Sequence, residues 1–461
     1  MISKWLENDR AVNFAIAARV WSLPAGLITV LLIGFSFSPE AQGYYYTFNA
    51  VLSIQLFAEL GLSTVLIYFA SHEWSKLRVG PDGRPTGDDV ALSRLTSLAR
   101  FALKWYVIAA VALTLLLAFG GLRFLATAGS QDFSWKAPWL ALCIATGLAF
   151  STVPVWSLLE GCNQVSHTYA YRFVQAVVTS ITAWIAIWNN AELWFVSISL
   201  SIGLLFALAM IVCRYSDFLS TIMLRTPRGP RVSWRTDLLP MQWRIALSWI
   251  AGYFVFFLLT PVLFFYQGPV VAGQMGMTWS FASALLAVAS SWVTPKAPSF
   301  GILIAQRKFD ELDRLFWKIT ATVLVVTLLG ALAIWAAVFI LNLLHHPFAG
   351  RLLSPASTGF LLLATVLTAA SIPMSTYLRA HKQEPLLKVS LLSGVITGIV
   401  ILIMGKYYSA FGVSIGYLVA TAATTPFIAM IWRQKRSEWH ARGEENVCQD
   451  VPQDNVTERK S

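Results

Sequence analysis

Three charged residues interrupt long apolar stretches of this 461-residue chain: Arg19, Glu59 and Lys296. A lipid-facing acid at bilayer depth costs about 2.5–3.5 kcal/mol on insertion scales, so Glu59 is expected to face the protein interior and take a cation or a proton. Lys296 stands in Pro295-Lys296-Ala297-Pro298, where two prolines free backbone carbonyls and bend a helix, a device tolerated at membrane depth only beside protein or a water-filled path. A structural ion pair or a snorkelling lysine is the other reading of these two charges. Arg19 suits a fixed bidentate contact to phosphate better than a lysine would. Its counterpart is Arg244: Ser22-x-x-Ala25-Gly26 is echoed by Ser248-x-x-Ala251-Gly252, with the arginines one position out of register. Arg244 reaches either the same ligand or lipid headgroups at a helix start. Glu160 and Arg379 end apolar segments and are read as a cytoplasmic gate or as helix-end stabilisers, and Arg172, which opens the next segment, is open to the same two readings.

The elements that must position these charges are membrane helices. Hydrophobic residues make up 57% of the chain and charged ones only 12%, with a mean hydropathy of +0.63, against about 25% charged in a soluble globular chain. Apolar segments long enough to span a bilayer centre near positions 25, 57, 113, 148, 180, 203, 254, 285, 330, 366, 397 and 421. These about twelve segments form two copies of six. Pro154, Leu159, Glu160, Gly161 and Gln164 recur as Pro373, Leu378, Arg379, Ala380 and Gln383; Leu98, Arg100 and Lys104 recur as Leu312, Arg314 and Lys318. A looser match sets Glu59 against Lys296. Six helices per copy bring both copies into the membrane in the same direction, related by an axis along its normal, with a cavity expected between the lobes. The sequence therefore divides into a cytoplasmic N-terminus (1–11), a six-helix lobe (12–213), a basic cytoplasmic linker (214–240), a second six-helix lobe (241–432) and a cytoplasmic tail (433–461).

Counted on that topology, 28 of the 34 Lys and Arg fall on one side. Positive-inside asymmetry puts that side, and both termini, in the cytoplasm. The net charge of +11 is then explained by topology and by anionic inner-leaflet lipid, not by nucleic acid. Residues 1–11 are polar and the first apolar segment lacks a small-residue cleavage site, so no cleavable signal is expected. Cys143, Cys162, Cys213 and Cys448 lack paired spacing and His345-His346 is the only His cluster, so neither disulfide, metal nor other cofactor is expected. Outer connections are short; long inner ones run from Ser71 to Arg100 and from Arg214 to Arg244. There is no P-loop, G-x-S-x-G elbow or H-E-x-x-H helix, and the expectation is a transporter, not an enzyme. Trp249, Trp279 and Trp292 could stack sugar rings or simply pack against helices and lipid. Tyr44, Tyr45 and Tyr46 stand at an outer helix start, where an interfacial aromatic belt is expected.

Several runs resemble a known family: Gln42-Gly43-Tyr44-Tyr45-Tyr46-Thr47-Phe48, Phe57-Ala58-Glu59-Leu60-Gly61-Leu62, Ala70-Ser71-His72-Glu73, Leu158-Leu159-Glu160-Gly161, Gly273-Gln274-Met275-Gly276-Met277-Thr278-Trp279 and Trp292-x-x-Pro295-Lys296-x-Pro298. They are similar to bacterial polysaccharide biosynthesis membrane proteins, the O-antigen and exopolysaccharide flippases of the MOP superfamily that also holds lipid II flippases and MATE drug extruders. The resemblance implies an all-α, MATE-like fold of two pseudo-symmetric six-helix lobes in the bacterial inner membrane. It also implies alternating access and a cationic cavity that moves a polyprenyl-pyrophosphate-linked oligosaccharide to the outer leaflet. Arg19, Lys296 and Arg244 would hold the pyrophosphate, Glu59 would couple turnover to H+ or Na+, and Glu160 with Arg379 would gate. The protein would act as a monomer, alone or beside polysaccharide assembly proteins. Two other classes stay open. A MATE-like cation-coupled drug or metabolite antiporter shares the fold but favours an anionic cavity. A membrane polymerase or glycosyltransferase needs an acid/base pair on a structured loop, which the short outer loops do not offer.

The charge asymmetry makes a direct prediction. A phosphatase reporter that works only outside the cytoplasm should be inactive fused after Ser461 and active when inserted at Asn189-Asn190. The reverse pattern would overturn the assigned orientation.

Overall fold

The computed structural model describes residues 2–80, 83–128, 133–224, 229–381 and 385–449 of the chain, most of them with side chains. Helices dominate because hydrocarbon offers backbone N–H and C=O groups no water, and a helix satisfies them internally. In order they are α1 (Ile2–Ser36), α2 (Pro39–Leu52), α3 (Gln55–Glu59), α4 (Leu62–Trp74), α5 (Asp89–Ala128), α6 (Lys136–Gly161), α7 (Val165–Trp188) and α8 (Trp194–Leu224). They continue with α9 (Leu239–Phe256), α10 (Leu259–Gln267), α11 (Pro269–Val293), α12 (Ala297–Ala305), α13 (Phe309–Leu343), α14 (Pro355–Ala380) and α15 (Leu387–Gln449). Two starts follow one rule: Ser38 before Pro39 accepts from the Ala41 N–H at 3.1 Å, and Ser354 before Pro355 accepts from the Ser357 N–H at 3.4 Å. Proline at the first helical position loses nothing there, while the serine satisfies an otherwise orphaned donor.

Among the described residues, 9 helices are long and apolar enough to cross a membrane, or 10 if the bent run from α2 to α4 is one span. Two features extend that number toward the twelve apolar segments of the sequence. The 63 residues of α15 would reach about 95 Å if straight, three times a hydrocarbon core. Ser409 leaves the helical region (φ 56°, ψ −152°), and a Cβ on Gly416 would lie 2.6 Å from Val400 Cγ1, so the chain doubles back and the two halves pack side by side. The segment centred near 254 is α9, continued by α10. Every apolar segment thus coincides with a helix, and the protein is an all-α, multi-span membrane protein.

The two long polar connections hold more structure than their polarity suggests. The 40 residues of α5 carry it well past the bilayer, so most of the Ser71 to Arg100 stretch is helix. The remainder includes a two-stranded antiparallel hairpin, β1 (Leu77–Val79) and β2 (Pro85–Gly87), with Arg78 opposite Thr86. Arg94 on α5 pairs with the buried Glu73 at the end of α4, Nε to Oε1 2.8 Å. The segment before α9 lies along α5 as well: the Gly229 and Val232 N–H groups donate to Ser93 and Ser97 Oγ, each at 3.0 Å, and Trp234 stacks on Trp105. Asp237 accepts from the Ser233 N–H at 3.0 Å, which with the Thr236 hydroxyl holds its carboxyl below the usual carboxylate range. The tail is helical from Trp432 through Gln449.

By packing, the chain forms two compact units, Met1–Met277 with Gly350–Leu352, and Thr278–Ala349 with Leu353–Ser461. Glycines set the closest approaches in the first. A Cβ on Gly161 of α6 would lie 2.5 Å from Ala70 Cβ and 2.8 Å from the Ile67 carbonyl of α4, and one on Gly147 would strike Thr114 Oγ1 of α5. In the second unit α13, α14 and the end of α15 close over Phe316, Tyr377 and Trp432, with Phe300 and Leu312.

Because Gly161 abuts backbone and not a flexible side chain, Gly161→Val should lower the apparent melting temperature of purified protein by several degrees, an overpacking cost of about 1–3 kcal/mol. Ala380→Val at the matching position of the other copy should have the smaller effect. A thermal-shift series on both variants checks this.

Candidate functional site

Glu59 is the last residue of α3, and the helix breaks directly after it. Leu60 (φ 49°, ψ 32°) and Gly61 (φ 68°, ψ 14°) are both left-handed, and the run bends by 43° before α4. Glycine takes that conformation freely, whereas a leucine there costs about 1–2 kcal/mol, so the break is held by its surroundings. The N–H groups of the first turn of α4 point back toward the gap, and Ser63 in that turn donates its hydroxyl to Glu59 Oε1. Tyr106 of α5, fully buried, lies beside Glu59 and Ser63, and Phe57 packs edge-on against Tyr253 of α9 at 4.9 Å. The acid is therefore partly sheltered, hydrogen-bonded, and among the described residues has no cationic partner. About 22 Å of helix separates it from Trp74 at the end of α4. Neither Ser63 nor Tyr106 figured in the reading of the sequence. The i+4 spacing of Ser63 was a usable signal; the approach of Tyr106 was not.

Lys296 also sits at a break. Between α11 and α12 the residues Thr294–Lys296 form a 3-10 turn, as prolines at 295 and 298 dictate by withholding their N–H groups from the ladder. Thr294 Oγ1 donates to the Ser290 carbonyl at 2.8 Å. The lysine is exposed and has no carboxylate partner among the described residues. Only about 14 Å of helix follows it to Ala305, so it lies nearer that end of the Pro269–Ala305 span than its centre.

Arg19 is exposed on α1, with Ser22 Oγ donating to its carbonyl at 2.8 Å, and it too lacks a carboxylate partner among the described residues. The helix runs unbroken from Ile2 to Ser36; measured from Ser36, Arg19 is about 26 Å in. Arg244 lies in the second turn of α9, its side chain outside the described residues, as are those of Trp249 and Cys448 and all of Gln383.

Glu160 and Arg379 end α6 and α14 as the sequence suggested. Glu160, with its side chain 10% exposed, pairs with Arg172 of α7, Nη1 to Oε1 2.7 Å; the two residues singled out in sequence as helix-end charges of the first copy meet each other. Arg379 is exposed. A pair the sequence did not signal holds the second unit: Arg436 Nε donates to both Asp313 carboxylate oxygens at 3.0 Å, with His440 3.9 Å away. Those residues are 123 positions apart, and neither belongs to a repeated motif.

One aromatic expectation changes. Tyr44 is fully buried, stacked on Phe133 at 5.2 Å and on Trp135 at 5.7 Å, and Tyr46 is buried too, so these rings belong to a packed core and not to an interfacial belt. Trp279 packs edge-on against Tyr417 at 5.6 Å, while Trp292 is exposed. Cys143, Cys162 and Cys213 are free thiols, and among the described residues no group of three or more His, Cys, Asp or Glu is placed to hold a metal.

No protein-family model matches the chain, and no curated protein sequence matches it. Solved structures do. A lipid II flippase, MurJ, in an inward closed conformation superposes with a TM-score of 0.67 at 13% identity, over 94% of this chain and 90% of that one. An inward-facing multidrug resistance MATE transporter of the MOP superfamily gives 0.62 at 14% identity, over 90% and 98%. A MOP superfamily transporter from Pyrococcus furiosus, described by a binding pocket of reverse polarity suggesting a different function, gives 0.53 at 15% identity, over 94% and 96%. The fold is that of MOP superfamily transporters.

The Glu160–Arg172 pair is open to a mutational test. Removing Arg172 leaves a largely buried carboxylate unpaired, and with the arginine itself partly exposed the expected loss is about 1–3 kcal/mol, between the surface and buried limits for ion pairs. Arg172→Ala and Glu160→Gln should each lower the melting temperature and the double variant should fall short of their sum. Strict additivity would show that the pair contributes nothing.

Proposed function

We propose that this protein is a flippase that carries a polyprenyl-pyrophosphate-linked oligosaccharide from the inner to the outer leaflet of the bacterial inner membrane, for O-antigen or exopolysaccharide assembly. The observation that carries the reading is the state of Arg19 and Lys296. Both are cations on apolar helices, both are exposed, and neither has a carboxylate partner among the described residues. Unpaired charge in a low-dielectric site is costly, so the anion they are built for comes from outside the chain. A pyrophosphate diester supplies about two negative charges in a form that a guanidinium grips bidentately. Arg244 is the third cation of this set.

Glu59 takes the coupling role. Its carboxylate at a helix break, within reach of Ser63 and Tyr106, can hold a proton or Na+ and release it as the break flexes. The two sequence copies, 12–213 and 241–432, act as the lobes of an alternating-access cycle, with both termini cytoplasmic, and Glu160 and Arg379 control the inner side. Closure there requires Glu160 to share or exchange Arg172. The protein works as a monomer among polysaccharide assembly proteins and membrane lipids.

A second reading is favoured by the same acid. A carboxylate sheltered at membrane depth also suits a cation-coupled antiporter for drugs or metabolites, and one of the structures of this fold is a multidrug resistance MATE transporter.

Deleting the gene in its host and fractionating lipid-linked glycans by leaflet separates the two. The flippase reading expects a completed polyprenyl glycan stranded on the cytoplasmic leaflet, rescued by wild type but not by Arg19→Ala, Lys296→Ala or Glu59→Gln at equal expression. Each lost charge-assisted contact should weaken pyrophosphate binding about ten- to a hundredfold. A glycan that reaches the outer leaflet in the deletion strain, together with new sensitivity to cationic drugs, would install the antiporter instead. Rescue by the Arg19 and Lys296 variants would reduce those residues to snorkelling side chains.

A further inference from the structure

At the end of the first unit remote from the β1–β2 hairpin, α2 and α11 meet backbone to backbone. A Cβ on Gly43 would lie 1.9 Å from the Pro269 carbonyl oxygen, one on Gly273 would lie 2.9 Å from the Gly43 nitrogen, and one on Gly276 would lie 2.3 Å from Tyr46 Cβ. None of these distances admits a side chain. Two glutamines fasten the seam. Gln42 of α2, 1% exposed, donates from Nε2 to the Gly273 carbonyl and to the Arg351 carbonyl, each at 2.9 Å. Gln274 of α11 donates from its own Nε2 to the Gly350 carbonyl at 3.0 Å. Neighbouring carbonyls of one short segment are thus gripped by glutamines from the second helix of each sequence copy. They stand in Gln42-Gly43 and Gly273-Gln274, the same two residue types in opposite order.

We infer that this seam is the latch of the outer gate: Gln42 and Gln274 hold the outer ends of the two copies together, and Gly43, Gly273 and Gly276 make the closure tight. Its chemistry suits repeated opening. The two glutamines use uncharged amides and backbone acceptors, whose exchange with water is nearly balanced, so parting them leaves no unpaired charge behind. The closest approaches in the join are made by glycines, with Tyr44 of α2 packed edge-on against Phe264 of α10 at 5.3 Å beside them. Among the described residues Gln42 Oε1 has no hydrogen-bond partner. These contacts also explain why Gly350–Leu352 packs with the first unit while the residues on either side belong to the second. The latch rests on the transporter reading, because only a cargo leaving on that side requires the seam to part.

The test measures the seam itself and needs no substrate. In full-length protein in lipid nanodiscs, with Cys143, Cys162, Cys213 and Cys448 replaced by serine, Glu40→Cys and Val270→Cys carry spin labels at the outer ends of α2 and α11. Electron double resonance then reads their separation. The parent should show a short distance. Gln42→Ala should raise the share of a longer distance about tenfold, the worth of one or two hydrogen bonds, and Gly43→Ala, which cannot close, should abolish the short one while the melting temperature of each variant stays near the parent's. A single short distance retained in Gly43→Ala would overturn the latch. So would loss of the folded protein in both variants, which would make the seam a structural core. If the distances move as expected while the glycan is not translocated in cells, the latch stands and the flippase assignment fails.

Discussion

Everything in this structure follows from the absence of water in the hydrocarbon layer. A backbone that cannot hydrogen-bond to solvent must close its own ladder, so a charge or a helix break at that depth survives only where something else takes up the freed groups. The chain has both together, twice: Glu59 beside Leu60 and Gly61, and Lys296 between Pro295 and Pro298. Each coincidence is costly by itself. In both, the residue that carries the charge ends or lies within the break.

The same constraint shapes the packing. Without a hydrophobic drive between helices in lipid, association depends on close contact, and small residues permit it. Gly161 against Ala70, Gly147 against Thr114 and Gly43 against Pro269 are three instances, yet they differ in kind. The first two join helices of one sequence copy at sites where any added atom meets a fixed neighbour. The third joins helices of different copies and is fastened by glutamine amides. Tight packing and a breakable join can thus use the same residue type, and the partner decides which it is.

Charge has a similar double use. Glu73 with Arg94 and Asp313 with Arg436 are closed pairs near helix ends. Glu160 with Arg172 is also closed, but its acid was equally placed by sequence to serve a gate. Arg19 and Lys296 stand apart from all of these: no carboxylate among the described residues neutralises them.

The sequence by itself determined the solvent and the helices, because hydropathy over twenty residues is a local property. It also marked Arg19, Glu59 and Lys296, since a charge within an apolar run stands out whatever surrounds it. Tertiary structure alone decided how those charges are served. That Glu59 meets Ser63 and Tyr106, that Glu160 is held by Arg172, that Tyr44 lies in a core instead of a belt, and that Gln42 reaches the Arg351 carbonyl 309 positions away all depend on which helices lie side by side. Helix neighbours in a membrane are chosen by fractions of an ångström at glycines, and a hydropathy pattern carries no record of that fit.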